Sequence, residues 1–147
     1  MSDQNLLSQY RDLVLRVYDT TFNQKNPAGA RDFYAPDYLC HTPLHPDGPI
    51  DAKGIEADGD MVLAAVPDVT VTFADVFGQD DRLVVRHLYH GTNTGPVMGI
   101  PPTGREVTIS GTDIYRFAAG RIVEEWSQPD LFGLLQQIGA LPPPGKP

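Results

Sequence analysis

Only one cysteine, Cys40, stands in the 147 residues, so no internal disulfide can form and a reducing, cytoplasmic setting is expected. Long apolar runs are missing as well. Nothing approaches the ~20 residues of a membrane span, and the opening MSDQNLLSQYRD lacks the basic-then-apolar pattern of a secretory signal. Basic residues are scarce, 11 Lys and Arg against 19 Asp and Glu, for a formal net charge of -8. Such a surface repels phosphate backbones and anionic lipids, which sets nucleic-acid and membrane partners aside in favour of a small or uncharged one. The glycine-rich nucleotide fingerprints and the G-x-S-x-G nucleophile elbow are absent. His41 and His45 are separated by Pro43 and followed by Pro46, so they cannot share a helical face. His87 and His90 take opposite faces of a strand, and no metal site is expected.

What is present reads as helices followed by antiparallel strands. Leu6, Leu7, Tyr10, Leu13, Val14, Val17, Tyr18 and Phe22 recur at helical spacing over residues 5–23, with Ser2 or Asp3 available as a cap. Ala28 to Phe33 can add a turn or two, Tyr38 to Thr42 is a short strand-like segment, and Ile55 to Val66 is a third helix ended by Pro67. Alternating residues Val69–Phe77 and Arg82–His90 form a hairpin, and Leu131–Ile138 a final short helix. The reading is a single α+β domain over residues 1–147, a curved antiparallel sheet with three to four helices on its concave face. A flexible Pro-rich tail follows from about 141.

The most informative stretch is a second hairpin, Arg105–Phe117 and Arg121–Ser127, joined through Ala118-Ala119-Gly120. With Phe117 facing Arg121, Asp113 stands opposite Glu125. One face then carries Gly111, Asp113, Tyr115, Phe117, Val123, Glu125 and Ser127; the other carries Thr112, Ile114, Arg116, Ile122, Glu124 and Trp126. Asp113 among Tyr115, Phe117 and Val123 is a carboxyl in apolar company, where its pKa rises and it becomes a proton carrier near neutral pH. Asp58, able to share the inward side of Ile55, Met61 and Val62, is the second acid candidate; His41 and His87 follow. Tyr115, Phe117, Glu125 and Ser127 are expected to touch a substrate. Met98 and Ile100, in the loop Gly91–Pro102, are expected to cover an opening. On the other face Ile114, Ile122 and Trp126 call for cover by a second copy, a two-fold homodimer through the outer sheet face.

The run GTNTGPVMGIPPTGREVTISGTDIYRFAAGRIVEEWSQPDLFGLLQQIG resembles the SnoaL-like polyketide cyclase family, which carries PTGR, a G-R/K-I-V-E-x-W strand and a closing Leu-Leu-x-Gln-x-Gly. The resemblance spans roughly residues 54–139. It implies a cone-shaped α+β barrel of the nuclear transport factor type, an apolar cavity for an aromatic polyketide, no metal and no cofactor bound in the barrel. The cyclases of this family place an Asp after the Trp and a His two places after the Gly of the preceding strand; here Ser127 and Asp113 stand there, and Asn93 replaces the His of a GTH motif. A related branch that lacks that Asp is linked to hydroxylation of anthracycline intermediates. The implied activity is therefore metal- and flavin-free polyketide hydroxylation using molecular oxygen and an external reductase. Ring closure by aldol condensation and non-catalytic binding of a small molecule are the alternatives. In the hydroxylase reading Asp113 and Asp58 share the roles of base and orienter.

Overall fold

Residues Tyr10, Val14, Val17 and Tyr18, spaced by three and four, are the buried stripe of helix α1, Asp3–Tyr18. The computed structural model describes residues 3–142 and Gly145. Ser2, the alternative cap, and Pro143, Pro144, Lys146 and Pro147 of the tail lie outside the described residues. The helix runs on without a cap into a wider π turn, Asp19–Asn23, which places Thr21 and Phe22 toward the interior. Asn26 then caps a 3-10 helix, Pro27–Phe33, by accepting from the Gly29 N–H at 3.1 Å. Strand β1, Tyr34–His41, is longer than the segment legible in the sequence.

Helix α2, Ala52–Ala65, begins three residues earlier than its apolar pattern suggests, because Asp51 caps it through the Gly54 N–H. Gly59 in its middle permits close approach: a Cβ there would sit 3.1 Å from the Pro27 side chain. Strands β2 (Thr70–Gln79), β3 (Arg82–Thr92), β4 (Glu106–Ala118) and β5 (Arg121–Pro129) follow, then α3, Leu131–Gln137, capped by Asp130. The sheet order is β1-β5-β4-β3-β2. Neighbours among β2 to β5 are antiparallel, while β1 joins β5 in parallel, so the sheet is mixed at one edge rather than wholly antiparallel. The architecture is the expected α+β cone. Among the described residues no helix is long and apolar enough to cross a membrane.

The central hairpin departs from the expected register. Its loop is two residues, Ala119 and Gly120, both at positive φ, and Ala118 pairs with Arg121. A bulge then falls between Arg116–Glu124 and Phe117–Ile122, leaving Val123 as the extra residue. In consequence Asp113 faces Ser127, and Glu125 faces Tyr115. Ile122 turns inward and is wholly buried, so it does not belong to the outer face.

Two apolar clusters close the ends of the cone. Tyr10, Val14, Leu83, Val85, Phe117 and Ile122 belong to the first; Ala65, Val69, Val97, Val107, Leu134 and Ile138 make the second. The second is clamped by polar residues of the motif-bearing loop. Buried Asn93 donates to the Gly95 carbonyl (2.7 Å) and accepts from the Thr103 N–H (3.0 Å). Arg105 donates to the Gln137 carbonyl, and the Gln137 amide bonds both backbone groups of Thr108, pinning α3 to β4. Replacing Asn93 by Ala orphans these buried loop groups. We expect Asn93→Ala to lower unfolding stability by about 1–3 kcal/mol, measured by urea denaturation.

Candidate functional site

The concave sheet face and the layer above it, α1 through α2, enclose a cavity of about 120 Å³. Its apolar lining includes Val17, Phe22, Ala30, Ile55 and Val62. Set into that lining are two carboxyl groups, Asp113 and Glu125, each less than 5% exposed. Asp113 accepts a hydrogen bond at Oδ2 from the Tyr18 hydroxyl, and His87 Nε2 lies 3.0 Å from the same oxygen. Tyr115 donates to the Tyr18 hydroxyl at 2.8 Å, so a chain of hydroxyls leads from β4 through α1 back to Asp113. These donors are the set that a carboxylate needs when it is taken out of water. The other oxygen, Oδ1, is buried and has no hydrogen-bond partner among the described residues, and the same holds for His87 Nδ1.

His87 reaches Asp113 because β3 and β4 pair it with Gly111. A Cβ at position 111 would lie 2.5 Å from His87 Cε1; glycine leaves the imidazole its seat. Glu125 is held differently. Tyr38 from β1, whose ring packs against Tyr34, donates its hydroxyl to Glu125 Oε2. Desolvation, with the negative charge of Asp113 beside it, pushes the Glu125 carboxyl up to about 8, against the opposing pull of Tyr38, Tyr115 and Cys40. Burial first, and these carboxylates next, drive the hydroxyls of Tyr18, Tyr34, Tyr38, Tyr89 and Tyr115 well above their ordinary range.

Of the residues singled out from the sequence, Asp113, Tyr115, Glu125, Ser127 and Asp58 line this cavity, and His87 buttresses Asp113. Asp58 is held by His45 Nε2 at 2.9 Å and does not meet Asp113 in any hydrogen bond. The other four fall elsewhere. His41 lies on the outer face, stacked on Trp126 and bonded to Glu124 at 2.7 Å, because β1 pairs His41 with Trp126. Phe117 is sealed in the first cluster, stacked on Tyr10 at 4.0 Å. Met98 is half exposed at a left-handed φ, and Ile100 packs into the second cluster; the short turn Val97–Ile100 keeps both off the cavity.

Tyr18, Tyr34, Tyr38, Tyr89 and His45 were missed. Tyr18 sat in the apolar stripe of α1 and passed for a packing residue. Its hydroxyl was the available signal, since a buried phenol requires a partner. The raised Glu125 carboxyl has a consequence for stability. Its folded pKa exceeds the unfolded 4.5, so its contribution is fully present below that value and is lost as pH rises to about 8. We expect Glu125→Gln to gain stability relative to the wild type by up to about 1.4 kcal/mol per pH unit across that window, with no further gain above it, read by thermal unfolding at successive pH values.

The family model of SnoaL-like polyketide cyclases matches residues 12–138. A search of curated proteins returned no match. Among solved structures, IdmH of Streptomyces antibioticus, a proposed polyketide cyclase, is 30% identical, with a TM-score of 0.77 over 88% of this chain and 97% of that one. TsrD of Streptomyces laurentii is 27% identical, with a TM-score of 0.79 over 91% of this chain and 97% of that one. AclR of Streptomyces galilaeus, a proposed hydroxylase, superimposes with a TM-score of 0.83 over 93% of this chain and 85% of that one; at 24% identity it speaks for the fold alone.

Proposed function

Because this chain belongs to the SnoaL-like polyketide cyclase family, we propose that it is a tailoring enzyme that hydroxylates a ring carbon of an aromatic polyketide of the anthracycline type. One observation carries the proposal: Asp113 lines the cavity, is anchored by Tyr18 and His87 through Oδ2, and has a buried Oδ1 with no partner among the described residues. A positioned carboxylate in a dry, apolar cavity is a general base. In this reading Asp113 takes a proton from a reduced, electron-rich ring. The resulting anion passes an electron to dioxygen, and recombination forms a carbon–oxygen bond to a hydroperoxide. Two electrons and two protons from an external reductase then cleave the O–O bond, leaving a hydroxyl on carbon and releasing water. The carbon is oxidised and dioxygen is reduced; the protein supplies the base, the orientation and the exclusion of water. The proposal requires no metal and no cofactor held in the barrel.

A second reading, ring closure by intramolecular aldol attack, is favoured by the register. Asp113 stands directly across from Ser127, the position where the resembling cyclases carry their Asp. Cross-strand partners are separated by about 5 Å, so a carboxylate reaches the same wall of the cavity from the neighbouring strand. Both readings begin with the same proton transfer. Mass spectrometry of a reduced anthracycline precursor separates them. Hydroxylation adds one oxygen atom and needs air and reductant; cyclisation loses water or gives an isomer without oxygen. Tight binding with no turnover would overturn both readings. Asp113→Asn should lower the rate by at least about 10²-fold, and unchanged turnover in that variant removes Asp113 as the base.

The homodimer is part of the same proposal, now with Ile114 and Trp126 as the apolar residues of the outer face. Arg82 lies over the Trp126 ring on one side and His41 stacks against it, so the chain supplies part of the cover itself. Light scattering should give twice the mass of one chain; a monomer at micromolar concentration would overturn the dimer.

A further inference from the structure

We propose that Glu125 is a second catalytic group, a neutral carboxylic acid that hydrogen-bonds and protonates a substrate ketone oxygen while Asp113 removes the proton from the adjacent carbon. This rests on the reading of Asp113 as the base and extends it: the site is an enolising site in its own right, active without oxygen or reductant on simple fused-ring ketones.

The geometry is that of a base and an acid on one wall. Asp113 faces Ser127 and Glu125 faces Tyr115, so the two carboxyls are diagonal neighbours on the same face of adjacent strands. Diagonal positions lie about 7–8 Å apart at Cα. That spacing accommodates an α-carbon within reach of one carboxyl and its carbonyl oxygen within hydrogen-bond reach of the other, about 3 Å in each case. The two groups have different surroundings. Asp113 has the hydroxyl chain of Tyr115 and Tyr18 and the His87 ring at its Oδ2. Glu125 is surrounded by Tyr34, Tyr38 and Cys40 from β1, Tyr115 and Asp113 from β4, Tyr18 from α1 and Tyr89 from β3, and no cation is among them. The carboxyls of Glu56 and Asp58 are the α2 groups on the same cavity, and each is already paired, with Arg31 and His45.

Tyr38 donates to Oε2, which leaves the other Glu125 oxygen to carry the acid proton in this proposal. Among the hydroxyl and carboxyl groups of this wall, Glu125 at about 8 is a far stronger acid than the tyrosines, which burial pushes well above 10. It is therefore the group best matched to an enol near neutral pH. The step balances internally. The C–H bond breaks to Asp113, its electron pair moves into a carbon–carbon double bond, and the carbonyl oxygen takes the Glu125 proton. Reversal with a solvent-exchanged proton returns a labelled ketone, with nothing oxidised or reduced.

The test is deuterium incorporation at the α-carbons of 2-tetralone in D2O under argon, followed by proton NMR and corrected for the buffer rate. The wild type should accelerate exchange, and the protein-dependent rate should fall above about pH 8 as Glu125 ionises. Glu125→Gln should lose about 10²–10³-fold and show no such fall, while Asp113→Asn should lose exchange altogether. Carboxyl carbon NMR of the ligand-free wild type, compared with Glu125→Gln, should show one glutamate titrating far above the others. A wild type that leaves 2-tetralone unlabelled, or a Glu125→Gln variant with wild-type rate and pH profile, overturns the proposal. So does a Glu125 carboxyl already ionised at pH 6. Exchange under argon, with no oxygenated product from the anthracycline precursor in air with reductant, defeats the hydroxylase reading and leaves this one standing; an oxygenated product with no exchange does the reverse.

Discussion

A carboxyl group taken into an apolar cone loses its hydration, and unless donors replace the water the desolvation amounts to several kcal/mol. The hydrogen bond from Tyr18 to Asp113 answers that demand, and much of the architecture follows from it. Tyr18 comes from the last turn of α1, ninety-five positions away in the chain, so the bond ties the helical layer to the middle of the sheet. Tyr115 extends it from the sheet side, and His87 completes it from β3. Each donor requires an adjustment elsewhere. Gly111 leaves room for the imidazole, Gly59 lets α2 approach Pro27, and the π turn after α1 directs Thr21 and Phe22 inward.

The second carboxyl meets the same demand in other company. Glu125 has the Tyr38 hydroxyl, no cation is among the groups that shift it, and Asp113 repels its ionised form. Burial and the charge of Asp113 thus raise the Glu125 carboxyl on the wall the two groups share. On the outer face a third carboxylate, Glu124, sits between His41 and Arg116 and is held below its ordinary range, first by the His41 hydrogen bond. The strand that presents Glu124 and Glu125 to opposite faces separates an ionised acid from a neutral one across a single peptide.

The residues that made the family visible are mostly not those that could do chemistry. Thr103, Arg105 and Gln137, with Asn93 where the family pattern has a His, hold the loop after β3 and the last helix against β4. That is the reason they stand in a recognisable pattern: buried backbone groups in an irregular loop need specific side-chain partners. The cavity wall, by contrast, is built by strand pairing, which sets Ser127 opposite Asp113.

Alternation along β4 and β5 was enough to put Asp113, Tyr115, Glu125 and Ser127 on one face, because side-chain parity in a strand survives an error of two residues in register. Helical spacing was likewise enough to find α1, most of α2 and α3. Local sequence did not decide the bulge at Val123, which moved Ile122 into the core, nor the parallel pairing of β1, which carried His41 to the outer face. Those outcomes depend on which distant strand lies alongside. The identity of the tyrosines that face the carboxyls is of the same kind. A phenol in an apolar stripe reads as packing until the fold brings a carboxyl to its hydroxyl, and only three-dimensional proximity, acting through desolvation and charge, raises the Glu125 carboxyl.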